Sequence, residues 1–140
     1  FELAWNYDSI SDVYRKSGSL ERAFDYCYLA LNIWQEINYK RGEALITGKV
    51  GYFHKIKGDY EQAIYWQQKA LDLFLKLGSD RRVARYHGYI AESYCLQGND
   101  QQALKHYQNA LVIQKELGQQ KEIDETRQRI AEIKAKMSEQ

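Results

Sequence analysis

The chain repeats itself every forty residues, and this period constrains its fold more than any other feature. A loop glycine followed by a helix-capping residue recurs at Gly18, Gly58 and Gly98. Identical residues also recur in four further columns, namely Ala4/Ala44/Ala84, Ala23/Ala63/Ala103, Ala30/Ala70/Ala110 and Leu31/Leu71/Leu111. Because ordinary residue frequencies give a three-way identity only about once in a few hundred columns, these matches indicate true internal repeats.

Within each repeat the apolar residues follow the spacing of an α-helix. Ala63, Ile64, Ala70, Leu71 and Phe74 fall on one stripe of a single helix. Each repeat is therefore predicted to be a helix pair, with first helices over residues 1–17, 41–57 and 81–97 and second helices over 20–37, 60–77 and 100–117. The two-residue links predict that paired helices are antiparallel neighbours.

The residues in the links between helices are of types that begin or end a helix. Those that follow the loop glycines are strong N-cap types: Ser19, Asp59 and Asn99. The second helices are expected to close on residues that tolerate a left-handed backbone: Asn38, Gly78 and Gly118.

The last segment differs from the repeats. Residues 120–137 keep only a thin apolar stripe and are otherwise charged, which is typical of the helix that ends a helical stack. The prediction is an all-α chain forming a single domain over residues 1–140. It is an α-solenoid of antiparallel helix pairs, with repeats at 1–38, 41–78 and 81–118 and a capping helix at 120–137. Since the N-terminus carries no such polar helix, we expect room for further repeats before Phe1.

Composition limits the classes of partner and the cellular setting. With a formal net charge of +1, no strong field points to nucleic acid or to a membrane surface as a partner. The sequence contains no apolar run of membrane-spanning length. Cys27 and Cys95 form no disulfide framework or CxxC motif, so a reducing, cytoplasmic setting is expected.

The repeat columns resemble those of a known family. The matching residues are Gly58, Ala63 and Ala70 in the middle repeat, and Tyr94, Gly98, Ala103, Tyr107 and Ala110 in the last. At these columns the chain resembles tetratricopeptide repeat (TPR) proteins over about residues 1–137. Its forty-residue spacing resembles the long-helix subgroup of kinesin light chain, the Leu-Gly-Asn repeat proteins and bacterial TPR regulators. It departs from the family at His54 in a tyrosine column, and at Cys27 and Gln67 in an aromatic column.

The resemblance implies a binding function and a set of candidate residues. In the family, the first helix of each pair lines a concave groove that binds a peptide or protein segment. Carried over by column, the groove candidates are Trp5, Asp8, Asp12, Lys49, Tyr52, Lys55, Arg85, Tyr89 and Glu92, with Arg129 of the capping helix as a further one. Their charge changes from acidic to basic along the chain, which suits an extended peptide with one basic and one acidic end. A solvated helix face with unrelated charges explains the pattern equally well.

Two glycines and three aromatic residues leave alternatives open. Gly48 and Gly88 lie in the middle of first helices, where each costs about 1 kcal/mol relative to Ala. They either open the groove floor to a ligand or admit a neighbouring helix, and helix packing is favoured. Tyr52, Tyr89 and Trp5 are either binding anchors or packing residues between repeats.

Nothing in the sequence indicates catalysis. His54, His87 and His106 lie on different predicted helices and form no metal-binding motif, and neither cysteine has an activating context. We therefore expect no enzyme activity, no cofactor and no metal site. The expected function is a protein–protein interaction scaffold with a protein or peptide partner. The alternative is a regulatory or self-assembly module of a larger signalling protein, with self-association through the exposed face of the first repeat.

Overall fold

The computed structural model describes residues 1–139, which form seven α-helices and no strand. These are α1 (Glu2–Lys16), α2 (Leu20–Glu36), α3 (Lys40–Lys57), α4 (Tyr60–Lys76), α5 (Asp80–Gln97), α6 (Asp100–Leu117) and α7 (Gln120–Ser138). Every predicted helix is present, and its ends lie within one residue of the predicted ends. Among the helices of residues 1–139, none combines the length and hydrophobicity that crossing a bilayer requires.

The short links behave largely as predicted. The residues expected to close the second helices are left-handed, with φ of 55° at Asn38, 70° at Gly78 and 69° at Gly118. Asp59 and Asn99 cap their helices by accepting hydrogen bonds from the backbone N–H groups three residues later, at 3.3 and 3.2 Å. Ser19 is the N-cap residue of α2, as predicted, but its side chain makes no capping hydrogen bond.

The helices divide into two compact units. The N-terminal unit, Phe1–Leu73, contains α1 to α3 and most of α4. Its core is built on fully buried small residues such as Ala23 and Ala30, which let the helices approach closely, and on large side chains such as Trp34 and Phe53. Phe24 of α2 packs its ring against Phe53 of α3, with centroids 5.7 Å apart.

The C-terminal unit begins at Phe74 and contains the end of α4 together with α5, α6 and α7. Ala91, Ala103 and Tyr107 form its core with Ile133 of α7. Helix α7 buries only Ile123, Thr126 and Ile133, and the rest of its surface is half-buried or exposed. The thin apolar stripe predicted for the capping helix is therefore confirmed, and it packs α7 against α6.

Candidate functional site

Three of the predicted groove residues form one ion-pair cluster in the N-terminal unit. The ammonium nitrogen of Lys49 lies 2.9 Å from Asp12 Oδ2 and also pairs with Asp8 Oδ1. Burial acts to lower the pKa of Lys49, but the hydrogen bonds and charges of the two aspartates outweigh it and raise the pKa above its usual value. Because both carboxylates bind the Lys49 ammonium, its positive charge is not available to a ligand, and the three side chains together keep a net charge of −1.

Trp5 lies within an aromatic cluster of the same unit. Its ring centroid is 5.2 Å from that of Trp34, and Phe1 and Tyr39 also contact Trp34 at 5.1 Å each. The Trp34 ring rests on Gly42, where an added Cβ would lie 2.6 Å from Trp34 Cε2. These contacts make Trp5 chiefly a packing residue, although 38% of it stays exposed.

The two tyrosine candidates keep much of their surface in solvent. Tyr52 is 44% exposed and Tyr89 is 41% exposed. The Arg15 guanidinium lies over the Tyr52 ring at 5.8 Å, and Tyr89 meets the edge of Tyr86 with centroids 5.1 Å apart. Lys55 is half-buried on α3. Each tyrosine therefore packs on one side and presents the other to solvent.

The C-terminal unit contains an open cleft that collects the remaining candidates. A cavity of about 300 Å³ lies between α5, α6 and α7. Its lining includes Arg81, Arg85, Gly88 and Glu92 of α5, Tyr107 and Gln114 of α6, and Glu122, Glu125, Thr126 and Arg129 of α7. Two predicted site residues, Arg85 and Glu92, meet here with the further candidate Arg129.

Gly88 is what keeps this cleft open. A Cβ built at Gly88 would meet no atom within 4 Å, so the backbone of α5 borders empty space at this point. Its column-mate Gly48 is buried instead. The two glycines therefore play different structural roles. Gly48 is enclosed by packing, the alternative that the sequence favoured, whereas Gly88 borders the open cleft.

The floor of the cleft is polar, although it lies deep in the unit. Thr126 donates a hydrogen bond of 2.8 Å to Oε1 of Gln114, and both residues are 7% exposed. This bond leaves the Gln114 amide nitrogen as a donor. Burial raises the pKa of Tyr107 to about 12, so its hydroxyl stays protonated and can also donate.

A second cavity of about 290 Å³ continues the cleft towards the C-terminal ends of α5 and α7. The two cavities share Glu92, Tyr107 and Arg129 in their linings. Beyond these residues the second cavity is lined by Cys95, Leu96 and Ile133 and by the charged side chains of Asp100, Glu132 and Lys136. The second cavity therefore mixes apolar and charged side chains.

In the N-terminal unit, the positions eighty residues earlier carry larger side chains than Gly88 and Gln114. Asp8 stands in the column of Gly88, and Trp34 stands in the column of Gln114. The sequence offered a signal that was missed, because Gln114 is the one polar residue in a column that otherwise holds Trp34 and Phe74. Arg81 and Thr126 were also missed as cleft residues.

Two of the three histidines, His87 and His106, form a pair that the sequence motifs did not indicate. Nδ1 of His87 and Nδ1 of His106 lie 3.0 Å apart, so one ring donates to the other. Burial, together with the neighbouring His106, lowers the pKa of His87 to about 4, and burial also lowers the pKa of His106. In the first repeat the same two columns hold the contacting rings of Tyr7 and Tyr26, a comparison that could have revealed the pair.

A metal site needs more ligands than this pair supplies. Within residues 1–139, no group of three or more His, Cys, Asp or Glu side chains is arranged to hold an ion.

The comparison with protein families shows which family this chain belongs to. The model of the tetratricopeptide repeat family matches residues 2–76 and, in a second register, residues 42–116. The chain belongs to the tetratricopeptide repeat family. Among curated protein sequences, none matches this TPR chain.

Solved structures show the same fold at low sequence identity. The TPR domain of Arabidopsis FLU has a TM-score of 0.73 and 19% identity, over 79% of this chain and 93% of its own. The apo form of RapI has a TM-score of 0.87 and 22% identity, over 99% of this chain and 50% of its own. Aspartyl phosphate phosphatase F from Bacillus subtilis has a TM-score of 0.89 and 19% identity, over 99% of this chain and 36% of its own.

These similarities confirm the predicted fold class, an α-solenoid of antiparallel helix pairs with a C-terminal helix. The TPR chain spans half of the RapI chain and about a third of the phosphatase chain.

Proposed function

We propose that this TPR chain is a binding module rather than an enzyme, and that it holds an extended peptide or protein segment in the cleft between α5 and α7. The observation that carries the proposal is the open cavity beside Gly88, at a column predicted to line the groove. A glycine in the middle of a helix costs about 1 kcal/mol relative to Ala, and no packing contact explains that cost here.

The size and construction of the cleft support this proposal. A volume of about 300 Å³ lies at the lower end of the range for ligand pockets, and the second cavity extends it. Its walls are helices, which hold side chains in place better than loops do. In the N-terminal unit the matching columns are taken up by the Asp8–Lys49–Asp12 cluster and by Trp34, so we place the binding site in the C-terminal unit.

The proposal can be tested by filling the cleft. Peptides that bind the wild-type chain are first selected from a phage-displayed random library, and their dissociation constants are measured by fluorescence anisotropy. The Gly88→Leu variant then places a side chain in the cavity, because helical side chains lean back towards the N-terminus, here over Ala84. A matched control is Asn109→Leu, an exposed position on α6 whose column already holds Leu29 in the first repeat.

We expect the selected peptides to bind Gly88→Leu at least about tenfold more weakly and to bind Asn109→Leu as they bind the wild type. The proposal fails if no peptide is enriched over the empty support, or if the selected peptides bind all three proteins equally well. Circular dichroism of each variant shows whether the helices remain folded.

Self-association is the second candidate, and one surface favours it. On α1, Leu3 and Val13 are 52% and 65% exposed. The column-mate of Val13 is Phe53, which is fully buried, and that of Leu3 is Val83, which is 2% exposed. This face of α1 therefore lacks a covering that the later repeats have, and a second copy of the chain would supply one.

Sedimentation velocity over a range of concentrations tests this alternative. A dimer that dissociates when Leu3 and Val13 are both changed to Glu would support self-association through α1. A monomer at all concentrations, or a dimer that survives both substitutions, would exclude this surface.

A further inference from the structure

We propose that the cleft selects a segment in which an acidic residue and a basic residue are direct neighbours, the acidic side chain turned towards α5 and the basic one towards α7. This inference rests on the proposed function and adds the chemistry of the bound segment.

At the end of the cleft nearer the start of α5 and α7, the two walls carry opposite charges; further along, Glu92 on α5 and Arg129 on α7 reverse the signs. Arg81 and Arg85 line the α5 side, and Glu122 and Glu125 line the α7 side. The forty-residue register places Glu125 at the same height on α7 as Arg85 on α5.

These opposed charges do not satisfy each other. Among the salt bridges that join residues 1–139, none connects these arginines to these glutamates within 4 Å. The cavity of about 300 Å³ therefore separates these complementary charges. A ligand that carries both a positive and a negative charge could form ion pairs with both walls. A purely acidic or purely basic ligand would be attracted by one wall and repelled by the other.

The floor between the walls suits a peptide backbone. The Gln114 amide nitrogen and the Tyr107 hydroxyl are donors, and a peptide carbonyl is an acceptor for either one. Gly88 leaves α5 without a side chain at this level, so a backbone can approach closely.

The geometry of an extended chain then fixes the order of the charges. Successive side chains of an extended peptide point to opposite sides. A segment lying along the cleft between α5 and α7 therefore turns one residue towards the arginines and the next towards the glutamates. An adjacent acidic–basic pair meets both walls, whereas two such charges separated by one residue would point to the same wall.

Capped twelve-residue peptides that differ only in their two central residues test the inference. The central pairs are Glu-Lys, Gln-Gln, Glu-Glu and Lys-Lys, and a fifth peptide separates Glu from Lys by one alanine. Binding is measured by the chemical-shift changes of ¹⁵N-labelled protein at low salt. Because each exposed ion pair contributes little, we expect Glu-Lys to bind about tenfold tighter than Gln-Gln and tighter than the other three, with the advantage shrinking as salt is added.

Charge reversals give a result that misfolding cannot mimic. Arg85→Glu leaves three acidic residues and only Arg81 as a basic one among these four wall residues, so the preference should switch to the Lys-Lys peptide. Glu125→Arg leaves three basic residues and only Glu122 as an acidic one, so the preference should switch to Glu-Glu. Each variant gains affinity for one probe, which a damaged protein would not do.

The outcomes separate this inference from the proposed function. If peptides selected from the library lose binding in Gly88→Leu but Glu-Lys binds no tighter than Gln-Gln, the cleft binds peptides and the charge inference is overturned. If the reversals leave the ranking of the probes unchanged, it is overturned as well. If no selected peptide responds to Gly88→Leu, the proposed function itself fails.

Discussion

Replacing Gly88 with alanine should make the protein more stable, although the residue stands in a column that is predicted to be functional. Gly88 lies in the middle of α5, nine residues after the N-cap residue Ser79. Alanine is favoured over glycine inside a helix by about 1 kcal/mol, because glycine loses more backbone freedom on folding. An added Cβ at this position meets nothing within 4 Å, so no steric term opposes the gain.

Urea denaturation followed by circular dichroism measures the free energy of unfolding, and thermal denaturation measures the Tm. We expect Gly88→Ala to raise the free energy of unfolding by about 1 kcal/mol and the Tm by about 3–5 °C. The m-value should not change, because the same surface is exposed on unfolding.

Gly42→Ala is the matched control in the N-terminal unit. There an added Cβ would lie 2.6 Å from Trp34 Cε2 and 2.8 Å from Tyr39 Cδ1, so two rigid rings would have to move. Overpacking of this kind costs about 1–3 kcal/mol and should outweigh the gain in helix propensity. If Gly88→Ala proves destabilising, or if both variants are equally stabilised, the assignment of Gly88 to an open cleft and of Gly42 to close packing is refuted.

Three further predictions concern charged and titrating groups. Lys49→Met should lower the free energy of unfolding by about 1 kcal/mol in urea denaturation, since it leaves two aspartates facing each other without their shared cation. The stability of the C-terminal unit should fall as the pH drops from about 6.5 to about 4, because unfolding frees His87 and His106 to bind protons that the folded pair resists. The double variant with Tyr at both positions should flatten this part of the pH profile by about 1–2 kcal/mol, and an unchanged profile would contradict it. Finally, a thiol reagent at pH 8 should label Cys95 before Cys27, because Cys27 is fully buried and its burial raises its pKa to about 12; equal labelling rates would contradict this.

The helices and their boundaries could be read from the sequence because the signals are local. The forty-residue period, the apolar stripe through Ala63 and Ala70, and the left-handed residues such as Gly78 each act within one turn or one link. Repetition also makes the predicted helix boundaries more reliable, because an atypical residue in one repeat can be compared with the residues in the same column of the other two. Ser19 shows the limit: it takes the predicted N-cap position, but its side chain makes no capping hydrogen bond.

The candidate site was predicted only in part. Column matching named Arg85, Glu92 and Arg129 as groove candidates, and the structure brings all three to the lining of one cavity. That they bind a ligand stays a prediction. It did not reveal that Lys49 is held by two aspartates, because that pairing depends on side-chain reach across two helices.

The sequence by itself determined that this chain is a stack of helix pairs, because hydrophobic spacing and glycine positions are properties of neighbouring residues. Tertiary structure decided which of the repeats is open. Gly48 and Gly88 occupy one column and look alike in sequence, yet one is buried and the other borders empty space. Whether a missing side chain is filled by packing or left as a cleft depends on residues far away in the sequence, such as Gln114 and Thr126, which only folding brings to the same place.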